Sequence, residues 1–176
     1  MNKLNVSLTK ESIKDLVVGQ EILYTGVLYT ARDQAHKRLI ELIDTGKKLP
    51  FDIQDKIIYY CGPTLGLKGQ IVGSCGPTTS SRMDMFTPRL LENGLLATVG
   101  KGERSLEVIN AIKKNKSVYF STYAGCGALL AQYVIKKQLV CFKDLGAEAV
   151  FAFTVKDFPL IVAIDSKGGN IYAKNS

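Results

Sequence analysis

The stretch Gly73-Ser74-Cys75-Gly76-Pro77-Thr78-Thr79-Ser80-Ser81-Arg82-Met83-Asp84 sets four consecutive hydroxyl side chains between a Gly-Pro turn and an arginine. Hydroxyls and free backbone N–H groups at the start of a helix collect negative charge, and Thr78 or Thr79 is a suitable N-cap. Arg82, four residues beyond Thr78, falls one helical turn along the same face and adds a forked donor. The segment reads as a loop that holds a carboxylate or phosphate; a Ser/Thr-rich surface cap with a solvated arginine satisfies the same pattern. Two further positions carry cations that bear on the choice. Arg32 follows the strand-forming run 21–29, and Lys101 stands between Gly100 and Gly102 after the apolar run 95–99.

The elements that must position these side chains are legible as a repeated grammar. Leu4, Val6 and Leu8 alternate as in an opening strand, a helical turn covers 12–17, and Gly19 breaks it. The strand 21–29 runs into Thr30-Ala31-Arg32-Asp33, which has capping-box spacing, and Ala35, Leu39 and Leu42 or Ile43 form a helical stripe ending at Gly46. Strands over 56–60 and 70–73 each lead into a Cys-Gly-Pro-Thr turn, at Cys61 and at Cys75. Thr87-Pro88 opens a helix that closes at Asn93-Gly94; the strand 95–99 precedes a helix carrying Val108, Ile109 and Ile112. A strand over 117–121, a helix from the 123–127 loop through Ile135, and strands over 139–142, 150–155 and 160–165 complete the pattern.

Strands alternating with helices predict an α/β fold with a largely parallel central sheet and flanking helices, and ligands of such sheets sit beyond the carboxyl ends of the strands. Arg32, the Thr78–Arg82 loop and Lys101 all fall at that end. Together they describe a pocket for a small ligand with more than one carboxylate, gripped bidentately by arginine and by the movable point charge of lysine. His36, the single histidine, lies one turn after Arg32; it suits a general acid, an orienting group or a satisfied core histidine.

Composition narrows the class. With 176 residues and 46% hydrophobic content the chain suits one domain over 1–176, with a polar tail after Gly168-Gly169 that reads as loose or as a docking segment. No apolar run approaches the roughly 20 residues of a membrane span, and the first residues lack a signal-peptide core, so a cytoplasmic location is expected. The net charge of +7 favours acidic ligands or an acidic partner surface. Nucleic acid is not expected: no aromatic-plus-basic stripe is present, and the pairs Lys47-Lys48, Lys113-Lys114 and Lys136-Lys137 fall where helix ends are predicted. Cys61, Cys75, Cys126 and Cys141 include no C-x-x-C pair and read as reduced thiols. The 100–105 loop lacks P-loop spacing, which disfavours nucleotide hydrolysis.

Arg32-Asp33-Gln34-Ala35-His36-Lys37-Arg38, the 75–84 segment and Gly100-Lys101-Gly102-Glu103-Arg104-Ser105, together with 123–128 and 144–149, resemble in order the C-terminal domain of class I fumarase and the β subunit of L-tartrate dehydratase. The resemblance covers nearly the whole chain. It implies a swivelling β/β/α domain similar to the mobile domain of aconitase, serving a hydro-lyase that interconverts C4 dicarboxylates, fumarate/L-malate first and L-tartrate next. It implies a four-iron four-sulfur cluster ligated by an α subunit, no metal ligand in this chain, and a heterodimer or doubled heterotetramer. By the family pattern Arg32, Arg82 and Lys101 bind substrate carboxylates, Thr79 orients the ligand, and Thr78, with Lys101, is catalytic. Thr78 would handle the proton beside an acidic group from the partner, while His36 and Ser105 would act through their neighbours. The alternative to this enzyme is a non-catalytic anion-binding or regulatory assembly module on the same fold.

Overall fold

In strand β2 (Glu21–Thr30) the residues Ile22, Tyr24, Leu28 and Thr30 are buried, because a pleated strand sends alternate side chains to one face. The computed structural model describes residues 4–5 and 8–173. Strand β1 (Leu4–Asn5) lies parallel to β2, and β3 (Ile57–Tyr59), β4 (Ala97–Gly100) and β5 (Val118–Ser121) continue the parallel run on its other side. Strands β6 (Val134–Cys141) and β7 (Val150–Ile164) run antiparallel to their neighbours. Because β7 pairs with β5 and with β2, the strands β2, β3, β4, β5 and β7 close a barrel-like ring.

The parallel arrangement expected of the sheet therefore holds from β1 through β5 and gives way at β7. The link between β6 and β7 is residues 142–149, too short for the crossover that parallel neighbours need. The two strands expected over 150–155 and 160–165 are one. Asp157, at φ 54°, makes a bulge where the register shifts opposite Tyr24 and Gly26, and its N–H reaches Thr25 Oγ1 at 3.0 Å, so pairing resumes beyond it.

Alternation along the short central strands feeds two cores. Ile57, Tyr59, Val99, Val118 and Phe120 point into one cluster with Phe153, Phe158 and Val162 of β7. Ile58, Tyr60 and Tyr119 point the other way, against α1 (Asp33–Asp44), α2 (Thr87–Glu92) and α3 (Leu106–Asn115), through Ala35, Leu39, Leu90, Val108 and Ile112. Each strand is buried on both faces, and its carboxyl end is held by packing on either side.

Local expectations fail where tertiary partners intervene. Residues 70–73 form no strand: Val72 alone is buried there, while Ile71 is exposed. The helix predicted through Ile135 stops at Ala131 as the short α4 (Gly127–Ala131), since the β-branched run from Val134 pairs with β7. Lys136 and Lys137 consequently sit on a strand, with Lys137 Nζ 4.3 Å from the Phe151 ring centre, and not at a helix end. Thr30 does not cap α1; its hydroxyl accepts from the Phe151 N–H at 3.1 Å. Val6 lies outside the described residues. Past Gly169, Asn170 bridges to Ile164 and the Ile171 N–H donates to the Ala163 carbonyl at 3.0 Å. Among the described residues no helix is long and apolar enough to cross a membrane.

Candidate functional site

The parallel strands end together, and their exits bring the predicted residues to one rim. At the end of β2 the Ala31 N–H donates to the Tyr59 carbonyl at 3.0 Å; extended backbone at Arg32 (φ −119°, ψ −163°) then starts α1 with Asp33 as its first residue. An aspartate in the first turn complements the helix dipole. It also faces Arg82: Arg82 Nε donates to Asp33 Oδ1 at 3.0 Å, and Arg32 Nε lies 3.9 Å from Asp33 Oδ2. One carboxylate thus stands between two guanidiniums that would otherwise repel. Glu148, from the loop before β7, approaches Arg32 Nε at 3.5 Å.

The hydroxyl loop is laid between β3 and β4 by backbone contacts. Thr78 N–H donates to the Tyr60 carbonyl at 2.7 Å, Thr79 bridges in parallel to Lys101, and Ser80 N–H donates to the Lys101 carbonyl at 2.9 Å. Ser80 is fully buried; its Oγ accepts from the Lys101 N–H at 3.0 Å and meets the Tyr119 hydroxyl at 2.9 Å. This fit requires Gly100, since a Cβ there would collide with Ser80 Oγ and the Tyr60 ring. The loop then turns through a single 3₁₀ turn, Ser80–Met83, which carries Arg82. Thr79 precedes that turn without capping it, which corrects the expected N-cap.

Arg32 and Arg82 are therefore joined through Asp33, Thr79 and Lys101 are neighbours, and Thr78 is fixed to the end of β3. Thr79 and Arg82 are exposed, and Arg32, Thr78 and Lys101 are half-buried. Ser105 stands behind them: its Oγ caps α3 by accepting from the Val108 N–H, and its own N–H donates to Asp84 Oδ2 at 2.6 Å.

The same aspartate holds a residue that sequence reasoning passed over. Arg104 has no exposed side-chain surface, and its Nε donates to Asp84 Oδ1 at 2.6 Å. Its terminal nitrogens reach Thr98 Oγ1 at 3.2 Å, the Tyr60 hydroxyl at 3.3 Å and Thr87 Oγ1 at 2.7 Å, and the guanidinium lies 4.8 Å from the Tyr119 ring centre. Burial opposes its charge, but Tyr60, Asp84 and Tyr119 outweigh that and hold its pKa above the ordinary value. Asp84 follows the turn bearing Arg82, and Arg104 follows the loop bearing Lys101, so this pair ties the two loops together. A loop arginine has no local mark of burial, so nothing in the neighbouring residues singles Arg104 out.

His36 is fully buried under Arg32. Its backbone N–H and its Nδ1 both contact the Arg32 carbonyl, at 2.9 and 2.8 Å, which assigns the ring proton to Nδ1. The ring lies against Tyr60 and Phe86, with centroids 5.3 and 5.9 Å away. Burial pushes its pKa down to about 4, with Arg104 adding to the fall and the Arg32 carbonyl and Asp33 opposing it. Arg32 Nε, Asp33 Oδ2 and His36 Nε2 are buried with no hydrogen-bond partner, and such atoms carry a desolvation cost.

Cys61 and Cys75, from the two Cys-Gly-Pro-Thr turns, are buried, and burial, with Cys75 as a neighbour, pushes the Cys61 thiol well above its usual pKa. Cys126 is exposed and Cys141 half-buried, and among the described residues no three His, Cys, Asp or Glu side chains are grouped as a metal site.

A rim of two arginines, a lysine and adjacent hydroxyls at the carboxyl ends of parallel strands has the chemistry to hold an anion. The family model described as Fumarase C-terminus matches residues 1–175, and the chain belongs to that family. It is 40% identical over 157 residues to fumarate hydratase class I, anaerobic, of Escherichia coli, covering 88% of this chain and 29% of that protein. It is 38% identical over 178 residues to the L(+)-tartrate dehydratase subunit beta of the same organism, covering 98% and 87%, and 37% identical over 175 residues to fumarate hydratase 2 of Leishmania major, covering 98% and 31%. The chain thus spans about a third of the fumarate hydratases and most of the β subunit.

Proposed function

We propose that this chain is the β portion of an iron–sulfur hydro-lyase that adds and removes water across a C4 dicarboxylate, fumarate/L-malate first and L-tartrate next. The observation that carries the reading is the shared rim: Arg32 and Arg82 coupled through Asp33, beside Thr78, Thr79 and Lys101. A substrate with two carboxylates matches three cations, and Arg32, which meets Asp33 and Glu148 only through long ion pairs at Nε, can donate to one of those carboxylates. The guanidiniums fix orientation by their forks, and Lys101 balances charge that develops on the carboxylate next to the reacting carbon. Thr78 holds or moves the proton at that carbon, and Thr79 orients the bound ligand.

The cluster, held by an α chain, supplies a Lewis acid for the substrate hydroxyl. This portion closes over the other as a swivelling domain similar to the mobile domain of aconitase, in a cytoplasmic heterodimer or doubled heterotetramer. Reconstitution with the cluster-bearing α chain under anaerobic conditions tests the reading: Thr78→Ala and Lys101→Ala should each lower kcat by about a hundredfold or more. Unchanged turnover in both variants would mean that the rim is a binding or regulatory module.

A further inference from the structure

Between the two Cys-Gly-Pro-Thr turns the chain makes an arm that the chemistry above does not use. Thr64 and Gly73–Ser74 pair across its base, with the Thr64 N–H donating to the Ser74 carbonyl at 2.9 Å and the Gly73 N–H to the Thr64 carbonyl at 3.2 Å. Its tip is closed by the Gln70 N–H on the Leu67 carbonyl at 2.8 Å and by the Gln70 side chain accepting from the Leu67 N–H at 3.0 Å. A Cβ at Gly73 would strike the Leu65 carbonyl, so the two legs are in close contact. Val72, 3% exposed, roots the arm in the core. From this braced frame Leu65 and Leu67 project at 88% and 78% exposure, and a cleft of about 310 Å³ separates Ile71 and Val72 from Ala128 and Ala131 of α4.

We infer that the arm docks on the cluster-bearing α chain, with Leu65 and Leu67 as its apolar anchors; this rests on the function proposed above. Its position argues for that occupant. One leg begins at Gly62, whose backbone packs on the Arg32 guanidinium, and the other descends through Cys75 to Thr78, so a chain that covers the rim also meets the arm. The fumarate hydratases carry about two thirds of their length outside the region matched here, whereas the β subunit of Escherichia coli spans little more than this chain. Where the two portions are separate molecules, no peptide bond holds them together, and apolar side chains on a pre-formed element supply affinity at a reduced ordering cost.

The test is a co-purification and sedimentation titration of this chain with the α chain, using Leu65→Asp, Leu67→Asp and, at the opposite ends of the strands, Val17→Asp, which is also exposed. Both arm variants should leave the far-UV circular dichroism and Tm of the isolated chain unchanged and weaken association roughly tenfold or more, while Val17→Asp keeps wild-type affinity. Wild-type affinity in both arm variants overturns the inference, as does an effect on self-association of this chain alone. A wild-type pair that associates through the arm yet turns over no dicarboxylate would sink the proposed activity and leave the arm standing.

Discussion

Two arginine–aspartate pairs anchor the hydroxyl loop, Arg82 with Asp33 to the start of α1 and Arg104 with Asp84 to the loop after β4, and they have opposite characters. Arg82 is half exposed and meets Asp33 through one 3.0 Å contact. Arg104 is wholly enclosed, makes a 2.6 Å contact to Asp84 and directs its terminal nitrogens at Thr98, Tyr60 and Thr87. An enclosed guanidinium with four of its five N–H donors engaged is closed to a ligand by burial, whereas an open one with a single partner still has donors to offer. The difference teaches that the inner pair sets the spacing of the loops and the outer one faces whatever the loops hold. Charge alone does not distinguish them; burial and donor accounting do.

The largest effect should come from the inner pair. Arg104→Met leaves Asp84 partly buried and unpaired, which costs about 3–5 kcal/mol and lowers Tm by roughly 10 °C; adding Asp84→Leu should recover part of the loss. A Tm within about 2 °C of wild type in the single variant would show that the enclosed pair is not holding the loops.

His36, packed on Tyr60 between the two pairs, gives the next effect. Its folded pKa is depressed from 6.5 to about 4, so the neutral form is favoured on folding; the resulting stability is fully present above 6.5 and is lost as pH falls toward 4. The loss is on the order of 3 kcal/mol. His36→Asn keeps an N–H near the Arg32 carbonyl but does not titrate. The wild-type minus variant difference in urea midpoint should therefore fall across that window; a flat difference would place the imidazole in contact with water.

The smallest effect on folding, read instead in turnover, belongs to the outer pair. Arg82→Lys should change stability by no more than about 0.5 kcal/mol and lower kcat/KM of the reconstituted enzyme about 10- to 100-fold, because the fork geometry is lost while the charge stays. Wild-type kcat/KM would make Arg82 a surface ion pair like Arg89 with Asp44.

What the amino-acid order determined by itself was local. Strand formers at 21–29, the Thr87-Pro88 helix start and the 108–112 stripe obey rules that act over a few residues, and the structure carries each of them. The placing of Arg32 and Lys101 at the carboxyl ends of β2 and β4 followed from the strand–loop–helix order, because parallel strands all exit at one side, whereas the hydroxyl loop, whose expected strand over 70–73 does not form, is held there by the Thr78 N–H on the Tyr60 carbonyl beyond β3. Tertiary structure decided what depends on partners distant in sequence: the closing of the ring by β7, the occupation of Thr30 by Phe151, the burial of Arg104 on Asp84, and the meeting of Cys61 with Cys75. Each of these weighs a desolvation cost against contacts made between remote segments, and no window of neighbouring residues contains both sides of that balance.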